Sequence, residues 1–193
     1  MNSSKTTDGI TIDIDSVYDA TGSVYLHDIQ IDMQPGEMIG VLGNSKSGKS
    51  LLLKTLSHAN RLDKLYSIQS IHPNNIGSSY CPVDDILIGE LTVRETLRYS
   101  ARLNPVNESS EECEKRIQSL IEVFGLSGVA DQVIGTLLKR SLSGGQKRRV
   151  AVLVELVKQK NLLLLDEPTR YVQPHITEYR HNYYCTNISD DVI

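Results

Sequence analysis

The chain has 193 residues and a net charge of -4, with 39% hydrophobic and 23% charged side chains. Those values describe one globular domain rather than a disordered or membrane chain, and they argue against a protein that grips nucleic acid by bulk positive charge. Three widely spaced cysteines (Cys81, Cys113 and Cys185) form no CxxC pair, so neither a disulfide framework nor a zinc site is expected.

In chain order, the start MNSSKTTDGITIDID is polar and lacks the apolar segment of a signal peptide. No apolar run approaches the roughly 18 residues needed to cross a bilayer. Ile10–Tyr18 and the following SVYLHDIQIDM alternate apolar and polar side chains and predict two half-buried strands. EMIGVLG is a short continuous apolar run and predicts a strand buried on both faces. GKSLLLKTLSHA then has helical composition.

Between that strand and that helix lies GNSKSGKS, which fits G-x-x-x-x-G-K-S: Gly43, Asn44, Ser45, Lys46, Ser47, Gly48, Lys49 and Ser50. Glycines let successive N–H groups curl inward around anionic oxygens, and the helix adds the positive end of its dipole. Lys49 is expected to reach the β- and γ-phosphates, and Ser50 to ligate Mg²⁺. Lys46 would be strained if its position requires a positive φ.

The middle of the chain reads as helical. Thr92 and Glu95 form a capping box that opens TVRETLRYSARL. SSEECEKRIQSLIEVFG carries serine caps, an early run of acids, and Ile117, Leu120, Ile121 and Phe124 on one face, with Gly125 as its C-terminal stop. A third helix is expected to begin near Gly144, with Val150, Leu153, Val154 and Val157 as its stripe.

That helix is preceded by LSGGQ: Leu142, Ser143, Gly144, Gly145 and Gln146. A serine hydroxyl and close N–H groups at a helix start make a second anion site. One nucleotide cannot easily fill both glycine sites of one chain, so two chains completing each other's site is the economical arrangement. NLLLLDE then predicts a buried strand that carries Asp166 to its C-terminal edge, where it would hold Mg²⁺. Glu167 follows, where a carboxylate can orient or deprotonate an attacking water.

Together these stretches resemble the nucleotide-binding domain of ABC transporters over about residues 10 to 169. PGEMIGVLG, DDILIGELTVRETLRYSARL and LSGGQKRRVAVLVEL are similar to the G subfamily, the white and pleiotropic drug-resistance type. The resemblance implies an α/β P-loop NTPase with a mainly parallel central sheet, N-terminal antiparallel strands, and an inserted helical subdomain at about residues 85–150. It implies ATP and Mg²⁺ as ligands, a second nucleotide-binding domain and a transporter's transmembrane domain as partners, and a place on the cytoplasmic face of a membrane. Two ATP molecules would be sandwiched head to tail, powering export. An aromatic side chain would stack on adenine, with Tyr18 the best match and Tyr25 the second.

The sequence also leaves the family pattern. Where the family has Y-x-x-Q-D-D, this chain has YCPVDD, so Val83 stands in the Gln position and offers no lone pair to Mg²⁺ or water. After DEPT the family continues S-G-L-D, but here the text is RYVQPH, and 26 residues follow Glu167. The later strand with its switch His is therefore expected to be missing. His175 and His181 come too early to serve. Residues 170–193 hold four of nine tyrosines and read as an atypical, disordered tail from a truncated or frameshifted product. The alternative reading is thus a non-catalytic fragment that binds ATP without turnover. A chromosome-maintenance ATPase would need a long coiled coil between the two glycine motifs, and no sustained heptads appear.

Overall fold

The computed structural model describes residues 9–57, 66–68, 71–72, 77–84, 86–136 and 141–169. The 170–193 tail and the end of the first predicted helix lie outside the described residues.

Strands β1 (Ile10–Asp19) and β2 (Val24–Met33) form the expected antiparallel pair. Asp19 makes their turn: its carboxylate accepts the N–H groups of Thr21 and Ser23 and the Thr21 hydroxyl. These bonds hold the Asp19 carboxyl below its ordinary pKa, the Thr21 hydroxyl contributing most. Asp28 adopts a left-handed φ of 51° within β2. The alternation slips there, so Leu26 and Ile29 both meet the core although they stand three positions apart. Short strands β3 (Tyr66–Ile68) and β4 (Ile71–His72) pair with the other edge of β1.

Helix α1 (Lys49–Leu56) lies between this hairpin and a second sheet. That sheet consists of β5 (Ser78–Cys81) and β6 (Leu162–Leu165), which run parallel in register from Ser78 opposite Leu162 to Cys81 opposite Leu165. Ile12, Ile14, Val17, Leu26, Leu52, Leu56, Leu162 and Leu164 make one core. Leu165 packs toward another, around Cys81, Ala151 and Val152. Strand β6 is therefore buried on both faces, as its four consecutive leucines require.

Helices α2 (Val93–Leu103), α3 (Ser110–Val123) and α4 (Gly144–Leu156) enclose a third, larger core. Thr92 and Glu95 form the expected capping box, and Ser109 with Glu112 forms another. Helix α3 ends in a Schellman arrangement: Leu126 N–H donates to Ile121 O at 2.9 Å, Gly125 N–H to Glu122 O at 2.9 Å, and Gly125 has φ 62°. Val150, Leu153 and Val157 of the predicted stripe are fully buried, beside Ile117 and Ile121 from α3.

One expected element differs. Residues 37–43 form no strand, and Met38, Ile39, Val41 and Leu42 are exposed, Leu42 by 93%. An apolar run signals strand potential, but a strand exists only where a neighbour supplies ladder partners, and β5 and β6 pair with each other instead.

Candidate functional site

The glycine loop of residues 43–50 folds as its glycines dictate. Gly48 caps α1 with φ 94° and ψ 1°, a left-handed conformation that favours glycine. A Cβ placed there would also come within 3.0 Å of the Leu26 Cδ2 methyl. Lys46 does adopt a left-handed φ of 67°, so the strain foreseen for a side chain at that position is present. Lys49 curls back over the loop: its Nζ donates to Gly43 O at 2.9 Å and Asn44 O at 2.7 Å, and reaches Ser47 Oγ at 3.5 Å. Ser50 is the next residue of α1 and is exposed.

Helix α1 packs against both β5 and β6, so the loop and the β6 terminus belong to one unit. Asp166 directly follows β6 and is 6% exposed, while Glu167 beside it is open to solvent with a left-handed φ of 49°. The Asp166 N–H donates to Cys81 O at 3.0 Å, extending the parallel ladder by one rung. The Tyr80 hydroxyl donates to Asp166 Oδ2 at 3.3 Å. Burial, and then the nearby Asp166 carboxylate, raise the Tyr80 pKa well above its ordinary value. Tyr80 therefore keeps its proton and remains a donor to that carboxylate.

The second glycine motif sits elsewhere. Ser143 caps α4, its Oγ accepting the Gln146 N–H at 3.2 Å, while Gln146 Oε1 accepts the Ser143 N–H at 2.8 Å. LSGGQ thus contains a complete capping box that the sequence reading did not separate out; S-x-x-Q was its signal. Leu142 is buried and anchors the turn, its N–H donating to Ile134 O at 3.3 Å. Lys147 Nζ donates to Gly135 O at 2.9 Å. Ser143 and Gly144 are left facing solvent. Among the described residues, no hydrogen bond joins residues 43–50 to residues 142–146.

Tyr18 and Tyr25 both lie at the turn end of the β1–β2 hairpin. Tyr18 pairs with Val24 across a register shift, and Tyr25 is 52% exposed with its hydroxyl donating to Asp19 Oδ2 at 3.1 Å. The Tyr25 carbonyl lies 4.0 Å from where a Cβ on Gly48 would stand, so this hairpin end borders the loop. Val83 is half-buried, in the bend after β5.

Comparison with known proteins decides what this arrangement belongs to. The family model described as ABC transporter matches residues 26–170, a span that runs from β2 past Glu167. The chain belongs to the ABC transporter family. Its similar relatives are G-family proteins. ABC transporter G family member 24 of Dictyostelium discoideum is 38% identical over 148 residues, covering 73% of this chain and 13% of that protein. ABC transporter G family member 20 of Arabidopsis thaliana is 38% identical over 156 residues, covering 76% and 21%. The bovine broad substrate specificity ATP-binding cassette transporter ABCG2 is 39% identical over 145 residues, covering 71% and 22%. This ABC chain therefore spans less than a quarter of the length of these three relatives. No helix among its described residues is long and apolar enough to cross a membrane.

Proposed function

We propose that this chain binds MgATP at residues 43–50 and hydrolyses it as the ATP-binding part of a G-subfamily transporter. The supporting observation is the Lys49 ammonium held by loop carbonyls at the start of α1, with α1 packed on the strand that ends at Asp166. A glycine loop at a helix start and the Lys49 cation suit a polyphosphate. Ser50 and Asp166 offer the hard oxygen donors that magnesium prefers, and the Tyr80 hydroxyl orients one Asp166 oxygen. A magnesium ion held by these residues would supply charge neutralisation to the phosphates.

The chain's own groups then have separate tasks. Lys49 leaves its loop carbonyls for the β- and γ-phosphates. Glu167, exposed beside Asp166, orients water for attack and accepts its proton. Tyr18 stacks on adenine. Residues 142–146 of a second nucleotide-binding domain close over the γ-phosphate: the Ser143 hydroxyl still has its own proton to donate, and the Gly144 and Gly145 N–H groups point outward at the α4 start. In this reading residues 1–169 form the ABC-type domain and residues 85–150 its helical subdomain. Coupled to a transmembrane domain at the cytoplasmic face of a membrane, closure and opening of the pair would drive export.

Lys49→Ala tests the site. ATP affinity, measured by calorimetry on the whole chain, is expected to fall about 10- to 100-fold, the worth of a charge-assisted bond. The thermal midpoint should hardly move. Unchanged affinity would remove the basis of this reading.

A further inference from the structure

Helix α4 carries a residue that neither glycine motif explains. Arg148 lies two residues beyond Gln146 and is 0% exposed, the largest fully buried side chain among the described residues. Burying a guanidinium costs several kcal/mol unless its donors are well satisfied. Here its two terminal nitrogens go to strand ends. Nη1 donates to Pro82 O at 2.6 Å and approaches Cys81 Sγ at 3.5 Å, and Nη2 donates to Asp166 O.

The position of these acceptors is informative. The β5–β6 ladder's last rung is Asp166 N–H to Cys81 O. The next rung of this parallel ladder would be Val83 N–H to Asp166 O, and among the described residues that bond is not made. The Arg148 guanidinium supplies a substitute, bridging the next carbonyl on each strand with one planar fork. One acceptor belongs to the residue proposed to hold magnesium. The other immediately precedes Val83, at the start of the bend that departs from the family pattern.

We propose that Arg148 is a positioning residue for the magnesium end of the site. By pinning Pro82 O and Asp166 O to one rigid group, it fixes the Asp166 main chain relative to the bend at Val83 and Asp84. Because Arg148 sits on the helix that Ser143 caps, it also gives the signature turn a mechanical link to its own chain's Asp166. A shift of α4 then moves the carboxylate, and magnesium binding restrains α4. The proposal rests on the reading of Asp166 as a magnesium-binding carboxylate.

The test compares ATP affinity with magnesium and with EDTA, in the whole chain and in Arg148→Lys, Arg148→Met and Asp166→Asn. Loss of an outer group that orients a metal-binding residue typically costs tenfold or more in metal affinity. Arg148→Met is therefore expected to lose roughly tenfold of the magnesium-dependent gain in ATP affinity and Arg148→Lys a smaller part of it, with affinity in EDTA unchanged in both. Arg148→Lys keeps the charge without the fork, so it should restore only part of what Arg148→Met loses. An equal loss in magnesium and EDTA would mean a merely structural arginine and overturn the proposal, as would no loss in either. If Asp166→Asn abolishes the magnesium gain while the Arg148 variants retain it, the Arg148 proposal falls and the magnesium reading stands. If Asp166→Asn retains the gain, both fall. Should the Arg148 variants fail to fold, the unmodified chain carries the test. Its Arg148 Nε–Hε resonance is expected to move with magnesium at fixed ATP, and a resonance indifferent to magnesium rejects the link.

Discussion

The helical region from Val93 to Val157 and the loop approach from Glu37 to Gly48 are both rich in apolar residues, yet they dispose of them in opposite ways. In the helices, Leu97, Ile117, Ile121 and Leu153 are wholly buried against one another, and serine or threonine caps satisfy the exposed helix starts. In the loop approach, Met38, Ile39, Val41 and Leu42 face outward, and the loop carbonyls of Gly43 and Asn44 bind the Lys49 ammonium. Helical order is closed locally, by bonds three or four residues away. Order in the loop approach depends on strands distant in the sequence, and the two parallel strands described here pair with each other.

Core truncation should expose this contrast most strongly. Leu97→Ala in the helical core is expected to cost about 2–5 kcal/mol of unfolding free energy by denaturant titration. Leu42→Ala, an equal deletion on an exposed side chain, should stay within about 0.5 kcal/mol. Equal costs would erase the distinction.

Acid should separate the two regions next. Arg116 bonds hold Glu108 below its ordinary pKa of 4.5, and Arg98 bonds do the same for Glu114. Asp131 is lowered by Arg94, and the capping acids Glu95 and Glu112 chiefly by the Thr92 and Ser109 backbone N–H groups. With folded values depressed, their stabilisation is fully present above the unfolded values, 4.5 for the glutamates and 3.8 for Asp131, and is lost as pH falls through the folded values. Helical circular dichroism should accordingly decline below about pH 4.5, and the double change Glu108→Gln with Glu114→Gln should flatten that decline. The Arg98–Glu114 pair is about 40% exposed on each side, which limits its share.

The smallest effect belongs to Lys46. Its left-handed backbone is strained for any residue with a Cβ, so Lys46→Gly should raise stability by about 1 kcal/mol in a thermal melt. A lower melting midpoint would show that the lysine side chain more than offsets its backbone strain.

The same contrast explains what could be read from the sequence. Thr92 with Glu95, the Ile117–Ile121 face and the Gly125 stop were legible because each feature acts within one or two helical turns. Leu162–Leu165 was legible because only a strand buried on both faces suits four consecutive leucines. Residues 37–43 misled for the complementary reason: an apolar run cannot say whether a neighbouring strand is there to pair with it. Strand β5 went unread because Ser78–Cys81 is short and lacks an apolar pattern. For the proposed site, Gly43–Ser50 and Asp166 could be put forward from spacing, since phosphate geometry would dictate that spacing. Arg148 was hidden, because a charged residue one turn from Ala151 and Val152 looks like solvated surface until the strand-end carbonyls are in place.

Gly48 carries a further consequence. Its left-handed backbone strains any side chain, and a Cβ there would press on the Leu26 methyl at 3.0 Å. A substitution at 48 is opposed on both counts, and trimming Leu26 alone relieves only one. Any lineage drifting from glycine here must rebuild the hairpin and the loop together, so this position should be among the slowest in the chain to evolve.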